Sequence, residues 1–99
     1  MSQPLLTVVA EMLAQPGKED ALREALLACV APTRAETACV QYDLHESTGT
    51  PGHFVFYENW TSKAALDEHL QTPHLKKLGA QLPDLLAEPA RILTFTRIA

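Results

Sequence analysis

The spacing of apolar and polar residues changes period several times along the chain, and each change marks an element. Residues 5–12 (LLTVVAEM) are β-branched and apolar, a strand composition, and Gln15-Pro16-Gly17 ends the run. From Lys18 the period lengthens: Leu22, Leu26, Cys29 and Val30 fall at i, i+4, i+7 and i+8, one face of a helix. Glu19 and Arg23 are spaced as an i,i+4 ion pair on its solvent side, and Pro32 is expected to end or kink it. Residues 38–46 (ACVQYDLHE) alternate, with Val40, Tyr42 and Leu44 on one face and Cys39, Gln41, Asp43 and His45 on the other. Ser47-Thr48-Gly49-Thr50-Pro51-Gly52 is a turn composition. Residues 53–60 (HFVFYENW) then pair back as a hairpin, with Phe54, Phe56, Glu58 and Trp60 facing one way and Val55, Tyr57 and Asn59 the other. Thr61 or Ser62 can cap a short helix running to about Leu70. Thr72-Pro73 reads as an N-cap followed by proline at the first helical position. The helix that follows carries Leu75, Leu78 and Leu82; Pro83 disturbs it and Leu85-Leu86 close it. Residues 91–98 (RILTFTRI) form a last strand.

The order β-α-β-β-α-β predicts an α+β, ferredoxin-like split βαβ fold, with both helical segments on one face of a four-stranded antiparallel sheet. A chain of 99 residues is one domain, 1–99. The 53–60 strand is apolar on both faces, whereas a strand with one solvated face alternates cleanly. The expected cover for the second face is another copy, a sheet-to-sheet homodimer.

Composition narrows the partners. The chain is 46% hydrophobic and 20% charged with net charge −4; without a basic cluster, nucleic acid is not an expected partner. No apolar run reaches the length of a membrane span. The first residues lack a basic segment and a cleavage site, so a cytoplasmic protein is expected. Cys29 and Cys39 are too few for a disulfide framework and lack metal spacing; both read as reduced thiols.

Candidate chemistry centres on the stretch EHLQTPHL, residues 68–75. Ala65, Leu66, His69 and Leu70 share one apolar stripe, so His69 points at the sheet or into a cavity beside it. It is either a core histidine with a hydrogen-bond partner or an acid/base residue. His74 reads as a surface residue. The two imidazoles lie on different helices separated by a proline-enforced break, and no Cys or carboxylate cluster completes a site, so no metal is expected. Glu58 stands between Phe56 and Trp60, where a carboxylate is costly unless paired or kept protonated. Trp60 and Tyr42 are either core residues or walls of an aromatic-ligand site. His45 lies near the rim of its strand, a solvated, interface or pocket residue. No nucleophile elbow, phosphate loop or dinucleotide fingerprint is present.

The run Tyr42-Asp43-Leu44-His45-Glu46, the Gly/Pro turn and the stretch FVFYENWTSKAALDEHLQTPHL resemble the antibiotic biosynthesis monooxygenase domain, to which small quinol monooxygenases belong. The likeness covers nearly the whole chain, including Pro16-Gly17 and residues 31–36. Its most specific parts are Tyr42-x-Leu44, Glu58-x-Trp60 and His69 with Thr72-Pro73-His74. It implies a dimeric α+β barrel with one pocket per protomer. It also implies oxidation of a quinol-like or polycyclic phenol by O2 without flavin, haem or metal. On that resemblance His69 or Glu58 handles protons, Trp60 lines the aromatic site, Tyr42 orients the substrate, and Phe56, Leu66 and His45 complete the substrate-binding set. Haem-degrading relatives are expected to need an iron-ligating histidine near Gly79, which glycine cannot supply. Two alternatives stay open: an isomerase of a phosphorylated dicarbonyl signal compound, and a non-catalytic small-molecule-binding dimer.

Overall fold

The computed structural model describes residues 4–99; residues 1–3, where the expected domain starts, lie outside the described residues. Its strands are β1 (Leu6–Leu13), β2 (Cys39–Glu46), β3 (His53–Trp60) and β4 (Arg91–Thr96), and its helices are α1 (Glu19–Leu27), α2 (Val30–Arg34), α3 (Lys63–His69) and α4 (Pro73–Leu85). The sheet order is β2-β3-β1-β4 with every pair antiparallel. This is the α+β, ferredoxin-like arrangement that the periodicity predicts, with each helical segment broken in two.

Alternation along β1 and β3 builds the core. Val8, Ala10 and Met12 stand opposite Glu58, Phe56 and Phe54 on the inner face. Leu22 and Leu26 of α1, Ala65 and Leu66 of α3 and Leu78 of α4 join them in one buried cluster. The long apolar stripe expected from Leu22 to Val30 is interrupted at Ala28-Cys29, not at Pro32. Pro32 lies in the first turn of α2, where a backbone N–H has no intrahelical acceptor to lose.

Three local expectations are corrected. Arg23 does not pair with Glu19; its guanidinium bonds Asp20 and forks onto both carboxylate oxygens of Glu46 at 2.8 Å. That contact ties α1 to the β2–β3 hairpin, and a two-pronged guanidinium–carboxylate pair is a better-defined contact than one solvated i,i+4 pair. The register of β2 shifts between Cys39 and Gln41. This bulge takes Val40 out of the alternation and leaves it half exposed, while Tyr42 and Leu44 keep the inner face opposite Glu58 and Phe56. The last strand stops at Thr96 rather than running to 98.

The turn into β3 requires glycine at 52. Its φ is +83°, and a Cβ there would lie 2.6 Å from the Glu19 side chain. At the far edge, all six residues of β4 are exposed. The outer face of the sheet carries exposed Leu5, Tyr57, Leu93 and Phe95. Cys29 and Cys39 are free thiols, the first buried and the second half-buried. No helix among the described residues is long and apolar enough to cross a membrane.

Candidate active site

A cavity of about 240 Å³ lies between the inner face of the sheet and the α3–α4 pair. Val8, Ala10 and Met12 of β1, Tyr42 of β2 and Phe56 of β3 form its floor. Leu66 and His69 of α3 and Leu75, Leu78, Gly79 and Leu82 of α4 form its roof, and Ile92 of β4 closes the open side. The polar groups on this apolar wall come from Tyr42, Glu58 and His69. Three larger clefts, about 570 Å³ between α1 and α4, about 790 Å³ on the outer face of the sheet and about 470 Å³ beside the end of α4, contain neither Glu58 nor His69.

The sequence positions His69 through two caps. The Ser62 hydroxyl accepts from the Ala65 N–H at 3.1 Å and starts α3, so that Ala65, Leu66 and His69 fall on its buried side. Thr72 then does two things at once. Its hydroxyl donates to the His69 carbonyl at 2.7 Å and accepts from the Leu75 N–H, so the end of α3 and the start of α4 share one side chain. Pro73 at the first position of α4 loses no hydrogen bond.

His69 is 2% exposed. Its ring lies 4.5 Å from that of Trp60 and meets the edge of Tyr42 at 5.5 Å, centroid to centroid. Its Nδ1–H donates to Glu36 Oε2 at 2.8 Å. Among the described residues its Nε2 has no hydrogen-bond partner, and the ring lines the cavity. Burial lowers the proton affinity of this imidazole, against the opposing pull of Glu36. It is therefore a neutral base near pH 7.

Glu58 is buried with Tyr42 directly opposite it in the sheet. The Trp60 Nε1–H donates to Glu58 Oε1 at 2.9 Å. Burial outweighs that bond and raises the Glu58 pKa to about 7, with the charge of Glu36 adding to the rise. Burial, helped by the charge of Glu58, also pushes the Tyr42 hydroxyl above its ordinary range, so it remains a phenol. The site thus pairs a neutral imidazole with a carboxyl that exchanges its proton near neutrality, a combination suited to general acid–base work.

Of the residues singled out in the sequence, His69, Glu58, Tyr42, Phe56 and Leu66 are brought together around the cavity. Two others are not. Trp60 is fully buried and is not part of the wall; it backs His69 and holds Glu58. His45 pairs with Val55 on the outer face and is exposed, because strand alternation sends it away from Tyr42 and Leu44.

The sequence reading missed Glu36 and misplaced His74. The His74 side chain is 20% exposed rather than solvated, and its Nε2 lies 3.0 Å from the same Glu36 oxygen that binds His69. Turning the chain at Thr72-Pro73 brings the two imidazoles toward each other instead of separating them. The expectation that no carboxylate links them is therefore corrected: one donor atom from each of Glu36, His69 and His74 lies within 4.8 Å of the others. Such a set can share a proton on the carboxylate or cage a divalent cation.

Comparison with known proteins extends this picture. A family model described as "Antibiotic biosynthesis monooxygenase" matches residues 5–81. The crystal structure of PA3566 from Pseudomonas aeruginosa is similar, with a TM-score of 0.95 at 36% identity over 100% of this chain and 99% of that one. The structure of Rv0793 from Mycobacterium tuberculosis matches with a TM-score of 0.91 at 37% identity over 96% of each chain. YgiN of Escherichia coli (strain K12), named "Probable quinol monooxygenase", is 34% identical over 102 residues, covering 90% of this chain and 96% of its own.

Proposed function

Because the chain belongs to the antibiotic biosynthesis monooxygenase family, we propose that it oxidises a quinol-like or polycyclic phenolic substrate with O2 in the cavity, without a cofactor. The observation that carries this reading is the free Nε2 of a neutral His69 aimed into an apolar cavity that also holds the near-neutral Glu58. The substrate hydroxyl gives its proton to His69 Nε2. The resulting phenolate is electron-rich enough to pass an electron to O2, and recombination forms a C–O bond at the ring. One oxygen atom stays on the substrate and the other leaves as water. A quinol that gains one oxygen atom leaves as a hydroxylated quinone, so the substrate supplies all four electrons. Glu58, protonated in part of the population near pH 7, donates to the departing oxygen, and the Tyr42 hydroxyl orients the ring. The protein contributes orientation, a dry wall and placed protons.

Size and charge sharpen the substrate class. An apolar cavity of about 150 Å³ accommodates one benzene, so about 240 Å³ suits a substituted single ring or two fused rings. No Lys or Arg lines the cavity. A phosphorylated dicarbonyl would find no counter-charge there, which argues against the isomerase reading.

The functional unit in this proposal is a homodimer joined through the outer face of the sheet. Leu5, Tyr57, Leu93 and Phe95 leave large apolar side chains exposed on that face, around the polar Thr7, Gln41 and Asn59.

The test is oxygen uptake by metal-stripped protein with one- and two-ring quinols, with autoxidation subtracted. Saturable uptake is expected, and His69→Ala is expected to lower kcat by about a hundredfold. Gly79 offers a control, because a Cβ there meets nothing within 4 Å and the residue lines the cavity. Gly79→Leu fills the space and should abolish uptake while the melting temperature holds or rises, since leucine favours a helix over glycine by about 1 kcal/mol. Absence of saturable uptake on every quinol would sink the oxygenase and leave a small-molecule-binding dimer.

A further inference from the structure

Glu36 and His74 do not line the cavity, yet their side chains meet behind its base. Glu36 comes from the turn between α2 and β2, where its N–H donates to the Thr33 carbonyl at 3.0 Å and its carbonyl accepts from the Cys39 N–H at 3.1 Å. Both ends of the residue are thus fixed before its side chain reaches α3. From there, one oxygen, Oε2, accepts from His69 Nδ1–H at 2.8 Å and lies 3.0 Å from His74 Nε2.

Proton counting settles the direction of the second bond. Thr72 Oγ1 lies 3.3 Å from His74 Nε2, and its single proton already goes to the His69 carbonyl. Neither the hydroxyl nor the carboxylate oxygen therefore has a proton for His74 Nε2, so His74 is the donor and carries Nε2–H. The same count fixes His69. A carboxylate only accepts, so the proton on the ring sits on Nδ1 and the lone pair sits on Nε2, toward the cavity.

We propose that Glu36 and His74 are positioning residues for proton abstraction: Glu36 locks His69 in the tautomer with Nε2 free and steadies the imidazolium formed when Nε2 takes the substrate proton, while His74 holds Glu36 in place. This inference rests on the acid–base role given to His69 above. The proton balance is simple: the substrate O–H bond breaks, the Nε2–H bond forms, and the new positive charge faces a carboxylate 2.8 Å away. The other groups facing His69 are the Tyr42 hydroxyl ring on β2, and Trp60 on β3 with Glu58 bound to its indole. None of these is a cation, so the charge of imidazolium meets no repulsion except from a protonated His74.

The test reads the imidazole itself and needs no substrate. With ¹⁵N-histidine label, free wild-type protein near pH 7.5 should show His69 with a protonated-type Nδ1 and an unprotonated-type Nε2. In Glu36→Gln the carboxylate's pull is gone, so the His69 pKa should fall and the tautomer preference should weaken. His74→Ala should do the same more mildly, and Glu36→Asp should restore part of the wild-type signature. Turnover in Glu36→Gln should drop at least about tenfold in kcat with little change in KM, at an unchanged melting temperature. A His69 with its proton on Nε2, or a His69 pKa and tautomer unmoved in Glu36→Gln, would overturn the proposal. So would stoichiometric Zn²⁺ uptake by chelator-treated wild type that is lost in Glu36→Gln and His74→Ala, for then the triad is a metal site. If the imidazole signature holds but no quinol is oxidised, the positioning stands and only the oxygenase reading fails.

Discussion

The two faces of the sheet are made by the same strands and behave as different materials. On β3, Phe54, Phe56 and Trp60 are at most 2% exposed, while Tyr57, one residue out of phase, is 39% exposed. Side chains under the helices are packed, and even their polar groups are committed: Trp60 to Glu58, His69 to Glu36. The other face sets exposed Leu5, Tyr57, Leu93 and Phe95 beside a polar row in which Thr7, Asn59 and Gln41 are joined by hydrogen bonds. The difference teaches that inner-face residues set stability and proton affinity together, whereas the exposed apolar residues of the outer face should matter only when a second surface arrives.

Three substitutions test this contrast, taken from the largest expected effect down. Trp60→Ala removes a fully buried ring and leaves Glu58 without its donor. A loss of about 3–5 kcal/mol is expected in urea unfolding, and a loss below 1 kcal/mol would mean that the inner face can collapse around the void. Glu58→Gln comes next. The folded carboxyl holds its proton up to a pKa of about 7, against an ordinary value of 4.5. Between those values the folded state binds more protons than the unfolded one, so the stability tied to Glu58 falls as pH rises through this window. Glutamine accepts the same indole bond without that dependence. It should stabilise the protein by roughly 2–3 kcal/mol at pH 8 and by almost nothing at pH 4.5. Equal effects at both pH values would show that Glu58 is not buried as an acid. His69 acts in the opposite sense: its lowered proton affinity costs stability as pH falls below the ordinary imidazole value of 6.5. Smallest for the protomer itself is Phe95→Lys on the outer face, expected to change its unfolding free energy by no more than about 0.5 kcal/mol. The same change should reduce the light-scattering mass from two chains to one. A two-chain mass that survives it would place the interface elsewhere.

What the sequence revealed follows the same division. Strand order, the helix caps and the inward turn of His69 are local matters, written in the spacing of Ala65, Leu66 and His69 and in Ser62 and Thr72-Pro73, and they appear in the structure as read. Glu36 was invisible because it sits in a turn without periodicity and its partner is 33 residues away. His74 looked solvated because the stripe of α4 runs through Leu75 and Leu78 beside it; only the angle between α3 and α4 turns it inward. Strand phase left Trp60 open as core or wall and the resemblance made it wall; neither says that His69 stands between the indole and the cavity. Val40 was lost to a bulge, a single extra residue that resets a two-residue period.

The Thr72 hydroxyl, bonded at once to the end of α3 and the start of α4, makes a joint rather than a spacer. Everything C-terminal to it that roofs the cavity, Leu75, Leu78, Gly79 and Leu82, rides on the same rigid rod as His74. The roof of the cavity and the hydrogen bond to Glu36 are thus anchored through one hydroxyl, so a change in how α4 meets α3 is felt at both.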